Sequence, residues 1–260
     1  MSTETLKLRL KALRLPSFLN YYAPLAKQAA EGGWSHVHYL DELSVIETVD
    51  RTERRIARLL TNSKLPREKT LATLEMGRFP SPVRTQVARL AEGQFLSGAT
   101  NLCVFGNPGT GKTHVVAAIG HELVRQSHSV LFTPVAALVE RLLEAKRDLR
   151  LTQELRRLDR IECLILDDIG YVQHDRAEME VLFALLAERY ERRSVMITSN
   201  LVFSKWDQIF KDPMTTAAAI DRVVHHSVIL ELNVKSYRAE AAHKRIHRKL
   251  TDNKDDSNAA

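Results

Sequence analysis

The stretch Gly106-Asn107-Pro108-Gly109-Thr110-Gly111-Lys112-Thr113 constrains this chain more than any other. It lies between a short apolar run, Asn101 to Phe105, and a helical pattern from His114 to Arg125. That is the strand, glycine loop, helix context of a phosphate-binding loop. Polyphosphate needs backbone N–H groups aimed at it with no side chain in the way, which glycines at 106, 109 and 111 permit. The helix that follows adds the positive end of its dipole. Lys112 can reach the β- and γ-phosphates as a mobile point charge, and the Thr113 hydroxyl can ligate Mg²⁺. A loop of this spelling can also be a plain turn, but its setting points to a bound nucleoside triphosphate.

Bulk properties narrow the class. At 260 residues the chain can hold one large domain or two smaller ones. Its formal charge of +6 suggests an anionic partner. Nucleic acid is the first candidate, although a nucleotide alone or a merely solvated surface fits the same charge. No apolar run approaches the ~20 residues needed to span a bilayer. Met1 to Arg14 alternates leucine with Lys and Arg and lacks the apolar segment of a secretory signal. The expectation is a cytoplasmic protein with no membrane partner. Cys103 and Cys163 sit in apolar runs and read as reduced core thiols, and no Cys/His spacing suggests zinc. His225-His226 and His36-x-His38 read as structural rather than as ligands.

Residues 1–78 read as a helical N-terminal domain for oligomer, partner or DNA contacts. Leu6, Leu10 and Leu13 recur at helical spacing, although Leu6-Leu8-Leu10 also fits alternation. Ser17 can cap a helix presenting Phe18, Tyr22, Leu25 and Ala29, which Gly32-Gly33 ends. A longer pattern carries Leu40, Leu43, Ile46, Ile56, Leu59 and Leu60, with Glu53, Arg54, Arg55 and Arg58 on a solvated face. Phe79-Pro80-Ser81-Pro82 marks the boundary, because two prolines so close cannot continue a helix. Residues 79–100 then form a linker with a leading helix from Val83 to Leu96.

From 101 to 250 apolar strands alternate with amphipathic segments, the signature of a parallel sheet wrapped by helices. The expected strands are 101–105, 129–133, 162–167, 194–199 and 228–232, with one long helical stretch from Val135 to Arg160. That stretch carries Lys146, Arg147, Arg150 and Arg156 among offsetting acids, so it fits a solvated helix or a DNA contact. Lys7 and Arg9 near the start leave the same two readings open, as do Lys244 and Arg245 near the end. Residues 251–260 read as a disordered tail.

Cys163-Leu164-Ile165-Leu166-Asp167-Asp168 is an apolar strand ending in two acids. A carboxylate at a strand's C-terminal end faces the crevice where nucleotides bind in open α/β sheets. Asp167 is suited to hold Mg²⁺ through its water shell, and Asp168 to orient and polarise the attacking water. Asn200, a turn residue on its own but placed just after the fourth expected strand, could bridge that water and the γ-phosphate.

These motifs, with the AAIDRVVHHS segment and Ser236-Tyr237-Arg238, resemble the AAA+ ATPases and, more narrowly, the IstB-type transposition helper ATPases and the helicase loader DnaC. The resemblance implies a P-loop AAA+ core, a five-stranded parallel sheet flanked by helices, behind a small all-helical domain. Arg222 matches the arginine that reaches a neighbouring subunit's γ-phosphate, and Arg238 the arginine that acts in cis. Aspartate stands at 168 where many AAA+ enzymes have glutamate, and too little chain follows Arg238 for a full C-terminal lid domain. The implied activity is Mg²⁺-dependent ATP hydrolysis by a homo-oligomer on duplex DNA, assisting the transposase of the same insertion sequence. A helicase loader is the alternative, and a DNA-bending clamp with incidental hydrolysis is a rival of another class.

Overall fold

The apolar runs pair into one parallel sheet: β1 Asn101–Phe105, β2 Val130–Pro134, β3 Cys163–Asp167, β4 Ser194–Ser199 and β5 Ser227–Glu231, in the order β2-β3-β4-β1-β5. The computed structural model describes residues 3–169, 175–208 and 220–240. Eight α-helices lie within them: α1 Thr3–Ala12, α2 Pro16–Glu31, α3 His36–Ser63, α4 Ser81–Ala91, α5 Lys112–Arg125, α6 Val135–Arg147, α7 Leu151–Asp159 and α8 Arg176–Arg189. The expected strands are all present, and the second, third and fifth differ at their ends by a residue. Gly170, Lys244, Arg245 and the tail 251–260 lie outside the described residues.

Every residue of β1, β3 and β4 is buried, because the sheet is covered on both faces. This is why they read as unbroken apolar runs and not as alternation. On one face Cys103, Phe105, Leu164, Leu166, Val195 and Ile197 pack with residues of α6, α7 and α8. On the other, α5 lies against the strands, close enough that a Cβ on Gly120 would meet the Ile165 Cδ1 at 2.9 Å. The helix α4 backs α5 through buried Val87 and Leu90. Edge strands β2 and β5 are only partly buried, so their sequence signal is weaker. Both cysteines are free and buried, and burial pushes each thiol up to about 12.

Three local expectations change. The stretch from Val135 to Arg160 is two helices, not one, broken where Leu149 takes a left-handed φ of 56° and Arg150 N donates to Ala145 O at 2.7 Å. The expected helix from Val83 to Leu96 starts earlier, with Pro82 in its first turn, and stops at Ala91, before Gly93 turns at φ 77°. Ser17 is not a cap, since it sits inside α2 and its side chain has a partner on α3 instead.

The chain divides into two compact units, Met1–Arg58 and Leu59–Ala260. In the first, α1 buries Leu10 and the stripe Phe18, Tyr22, Leu25 and Ala29 of α2 is half-buried. Glu47 is buried there as a charge hub. It accepts from Ser17 N at 2.9 Å and from the Arg51 guanidinium at 3.0 Å. Burial pushes its carboxyl up, but these donors more than offset that and hold it below the ordinary value. Leu6, Leu8, Leu13, Val37, Leu40, Val45 and Val49 stay exposed. Residues 59–78, assigned from sequence to the N-terminal region, pack with the second unit. His121 Nε2 lies 3.0 Å from Pro66 O, and Leu65 covers Gly120. Among the described residues no helix is long and apolar enough to cross a membrane.

Arg189, at the end of α8, is 1% exposed. Its guanidinium donates to Leu158 O, Ile161 O and Ser194 O at 2.9, 3.0 and 2.9 Å, joining the end of α7 to the starts of β3 and β4. Burial lowers its pKa only to about 10, so it stays charged. Arg189→Leu should therefore leave buried carbonyls unpaired and cost about 3 kcal/mol in a urea unfolding curve. A loss below about 1 kcal/mol would show that the carbonyls find other partners.

Candidate nucleotide site

The loop leaves β1 at the C-terminal edge of the sheet and enters α5 at Lys112. Its glycines have a steric task. At Gly109, φ is +83° and a Cβ would lie 2.2 Å from the Ser236 Oγ. At Gly106 a Cβ would lie 2.8 Å from Leu232 O. The segment after β5 therefore closes directly on the loop, and Tyr237 N donates to Gly109 O at 2.9 Å. Thr110, nearly fully buried, steadies the turn by donating its hydroxyl to Asn107 O at 2.9 Å. The Lys112 ammonium is folded back onto the loop, donating to Gly106 O at 2.8 Å and Asn107 O at 3.2 Å. Burial pulls its pKa below the usual lysine value, against the attraction of Asp168 and Asp167.

Opposite the loop stand the two acids. Thr113 Oγ1 donates to Asp167 Oδ2 at 3.2 Å, and Thr198 Oγ1 donates to Asp167 Oδ1 at 2.6 Å. The same Thr198 oxygen accepts from Asp168 N at 2.8 Å. One buried hydroxyl on β4 thus fixes both acids that follow β3. Burial pushes the Asp167 carboxyl above its ordinary value; the Thr198 hydrogen bond opposes this, and the nearby Asp168 adds to it. Asp168 is exposed and held at φ 62°, a left-handed conformation that turns its side chain away from the strand. The hydroxyl of Thr113 and the carboxylate of Asp167 are hard oxygen donors side by side, a set that fits Mg²⁺ beside a phosphate chain.

A cavity of about 270 Å³ lies here, lined by Pro108, Gly109, Gly111, Lys112, Thr113, Asp168, Asn200 and Arg238 but not by Asp167. Sequence reasoning had singled out all of these. Lys69, Leu74, His114 and Tyr237 line it too, and these it did not. His114 Nε2 lies 3.1 Å from Thr70 O, which pins the loop bearing Lys69 and Leu74 beside the start of α5. Arg78 stacks at 4.1 Å over the Tyr237 ring and pairs with Glu75 and Glu240. Nothing local in the sequence ties residues 66–78 to the phosphate loop, because the link is long-range. Thr198 carried a signal, as the polar end of an apolar strand.

Arg222 is not brought to this cavity. It is exposed on the helical turn 220–224, which leads into the opposite end of the sheet. There Asn101 N donates to His226 O at 2.7 Å, whereas Leu232 N bonds Phe105 O beside the phosphate loop. A strand of five residues, roughly 16 Å, separates the two ends.

Of the basic residues read as DNA contacts, Arg147, Arg150 and Arg156 line a groove of about 1070 Å³ between α6 and α7, with Arg141, Arg157 and Arg160. Lys146 pairs with Glu180 at 2.6 Å outside that groove. Arg150 pairs with Asp148, and Arg141 with Glu154. Lys7 pairs with Glu4 at 2.8 Å, and Arg9 is exposed on the same α1.

The sequence profile of IstB-like ATP binding proteins matches residues 8–245. A Sinorhizobium fredii protein named as an insertion-sequence ATP-binding protein is 42% identical over 238 residues, 91% of this chain and 80% of its own length. A Pseudomonas aeruginosa protein named as the ATP-binding protein of insertion sequence IS21 is 34% identical over 239 residues, 92% and 90% of the two chains. The crystal structure of DnaI is similar in fold, with a TM-score of 0.55 at 22% identity, over 65% of this chain and 95% of that one.

Thr198→Val tests how the acids are held. Asp167 serves a cation only when ionised, and its pKa is already raised. Mg²⁺-ATP binding should therefore weaken as pH falls, and removing the Thr198 donor should move that loss to higher pH. At neutral pH the variant should bind Mg²⁺-ATP roughly tenfold more weakly than the wild type, with metal-free ATP binding little changed. Identical pH profiles in calorimetric titrations would remove Thr198 from this role.

Proposed function

The chain belongs to the family of IstB-like ATP binding proteins, and we propose that it is a Mg²⁺-dependent AAA+ ATPase that assembles on duplex DNA and assists the transposase of its insertion sequence. The observation that carries this reading is the separation of Arg222 from its own phosphate loop. The loop, Asp168 and Asn200 line a cavity at one end of the sheet and Arg222 is exposed at the other, which supports reading them as two halves of a shared site. Only a neighbour in a head-to-tail arrangement can bring the halves together, and such contacts build rings or filaments. The exposed apolar residues of α1 and α3 offer further surface for assembly or for the transposase. The names of the relatives favour a transposase over a helicase as client.

In the proposed mechanism, Lys112 exchanges its loop carbonyls for the β- and γ-phosphates. Thr113 and Asp167 would hold Mg²⁺, which neutralises charge on the phosphate chain when bound. Asp168 accepts a hydrogen bond from the attacking water and aligns it, while Asn200 positions the γ-phosphate. Arg238 from the same subunit and Arg222 from the next spread positive charge over the transferring phosphoryl group. Aspartate at 168 is one methylene shorter than glutamate, so the water must approach closely, and closure of the interface would favour that. Triphosphate would thus act as a switch that completes the interface and releases it on hydrolysis. The groove between α6 and α7 would bind DNA through phosphates, with little base reading. Lys244 and Arg245, outside the described residues, and Lys7 and Arg9 are further candidates for phosphate contacts.

Arg222→Ala should bind ATP within about threefold of wild type yet lose ATP-dependent oligomers on DNA in sedimentation. Mixed with Lys112→Ala, it should recover part of the lost turnover, because each variant supplies the half that the other lacks. Full assembly of Arg222→Ala alone would sink the trans assignment. Asp168→Asn should keep ATP affinity but turn over at least ~100-fold more slowly; unchanged turnover would remove Asp168 from the chemistry.

A further inference from the structure

At the sheet end away from the phosphate loop, a carboxylate and a histidine pair distant in sequence converge. The Glu191 carboxylate follows α8, and His225 and His226 follow the helical turn 220–224. Glu191 Oε1 lies 3.3 Å from His226 Nε2 and 4.0 Å from His225 Nδ1. One ligand atom from each residue can be chosen so that all three lie within 4.8 Å of one another. The imidazoles stand edge to face with centroids 4.2 Å apart.

We propose that Glu191, His225 and His226 form a binding site for one divalent transition-metal ion of the Zn²⁺ class. Two imidazole nitrogens and a carboxylate oxygen suit a borderline ion, whereas Mg²⁺ and Ca²⁺ prefer oxygen alone. Ligands about 2.05 Å from a tetrahedral Zn²⁺ lie roughly 3.3 Å apart. The His226–Glu191 spacing already has that value, and the His225 nitrogen, 4.0 Å from the Glu191 oxygen, would have to move closer to join them. The ring must then give up the 3.0 Å hydrogen bond between its Nδ1 and the Tyr190 hydroxyl. The fourth position faces solvent, since all three residues are exposed.

The backbone that carries these ligands is fixed by separate contacts. His226 O accepts from Asn101 N at 2.7 Å, and His225 N donates to Asp221 O at 2.9 Å. Glu191 is held at φ 55° just after the buried Arg189, and Arg192 N closes the turn on Arg189 O at 3.0 Å. Sequence showed only a histidine pair with no third ligand near it; the fold supplies Glu191 from 34 residues upstream of His225. A bound ion would tie the turn after α8 to the segment that carries Arg222.

The test is a Co²⁺ titration of the whole protein without nucleotide, followed by absorbance and displaced with Zn²⁺. Wild type should show the intense visible bands of a four-coordinate nitrogen and oxygen site, saturating at one equivalent. The His225→Ala/His226→Ala variant should lose them, and Glu191→Gln should bind at least tenfold more weakly. Zn²⁺ should raise the melting temperature of wild type alone. ATP binding by the double variant, expected at wild-type affinity, confirms that it is folded. Absence of the bands in wild type, or equal bands in wild type and the folded double variant, overturns the proposal.

Discussion

The central constraint is that β1, β3 and β4 are covered on both faces, so polar side chains along them must be paired or confined to strand ends. The Thr198 hydroxyl satisfies that constraint twice. It donates to Asp167 and accepts from the Asp168 amide, which makes the ends of β3 and β4 one rigid object. The ladder between these strands runs in register from Cys163↔Ser194 to Leu166↔Ile197. A slip of one residue would turn Asp167 into the opposite helix layer. Chemistry and register are therefore fixed by the same contacts. The left-handed turn at Asp168 follows from them, because its amide is held at β4 while the chain must leave the sheet.

What the sequence made legible was local. The phosphate loop announces itself because strand, glycines, lysine and helix are contiguous, and Asp167 and Asp168 because they end an apolar run. The five-stranded sheet was readable for the same reason: both-face burial leaves unbroken runs at 101–105, 163–167 and 194–199. The less legible parts depend on partners far away in the chain. Ser17 looks like a cap until Glu47 and Asp50 on α3 claim its polar groups. Residues 66–74 have no periodicity, yet His114 and His121 hold them beside α5. The break between α6 and α7 leaves no mark in the sequence because Asp148-Leu149-Arg150 contains neither glycine nor proline, and an exposed leucine takes the left-handed turn.

The basic helices show how a mixed-sign pattern resolves in three dimensions. Lys146 and Arg150 each have an exposed acidic partner nearby. Exposed pairs of this kind add little to stability, about 0 to 1 kcal/mol each. They can exchange a carboxylate for another anion at small cost, which suits the proposed contact with DNA phosphates. The same pairs keep the surface from repelling itself when no polyanion is bound.

The folded-back ammonium of Lys112 has a consequence for selectivity. With Gly106 O and Asn107 O as its acceptors, the lysine is an internal competitor for its own site. An incoming anion must replace two hydrogen bonds before it gains any net attraction. A lone sulfate or phosphate would offer the lysine few contacts in return, whereas on the proposed reading a polyphosphate chain would also engage the loop amides and the start of α5. The loop is thus partly satisfied by its own lysine. On the proposed reading it would discriminate by anion length, through the threshold that each ligand must exceed.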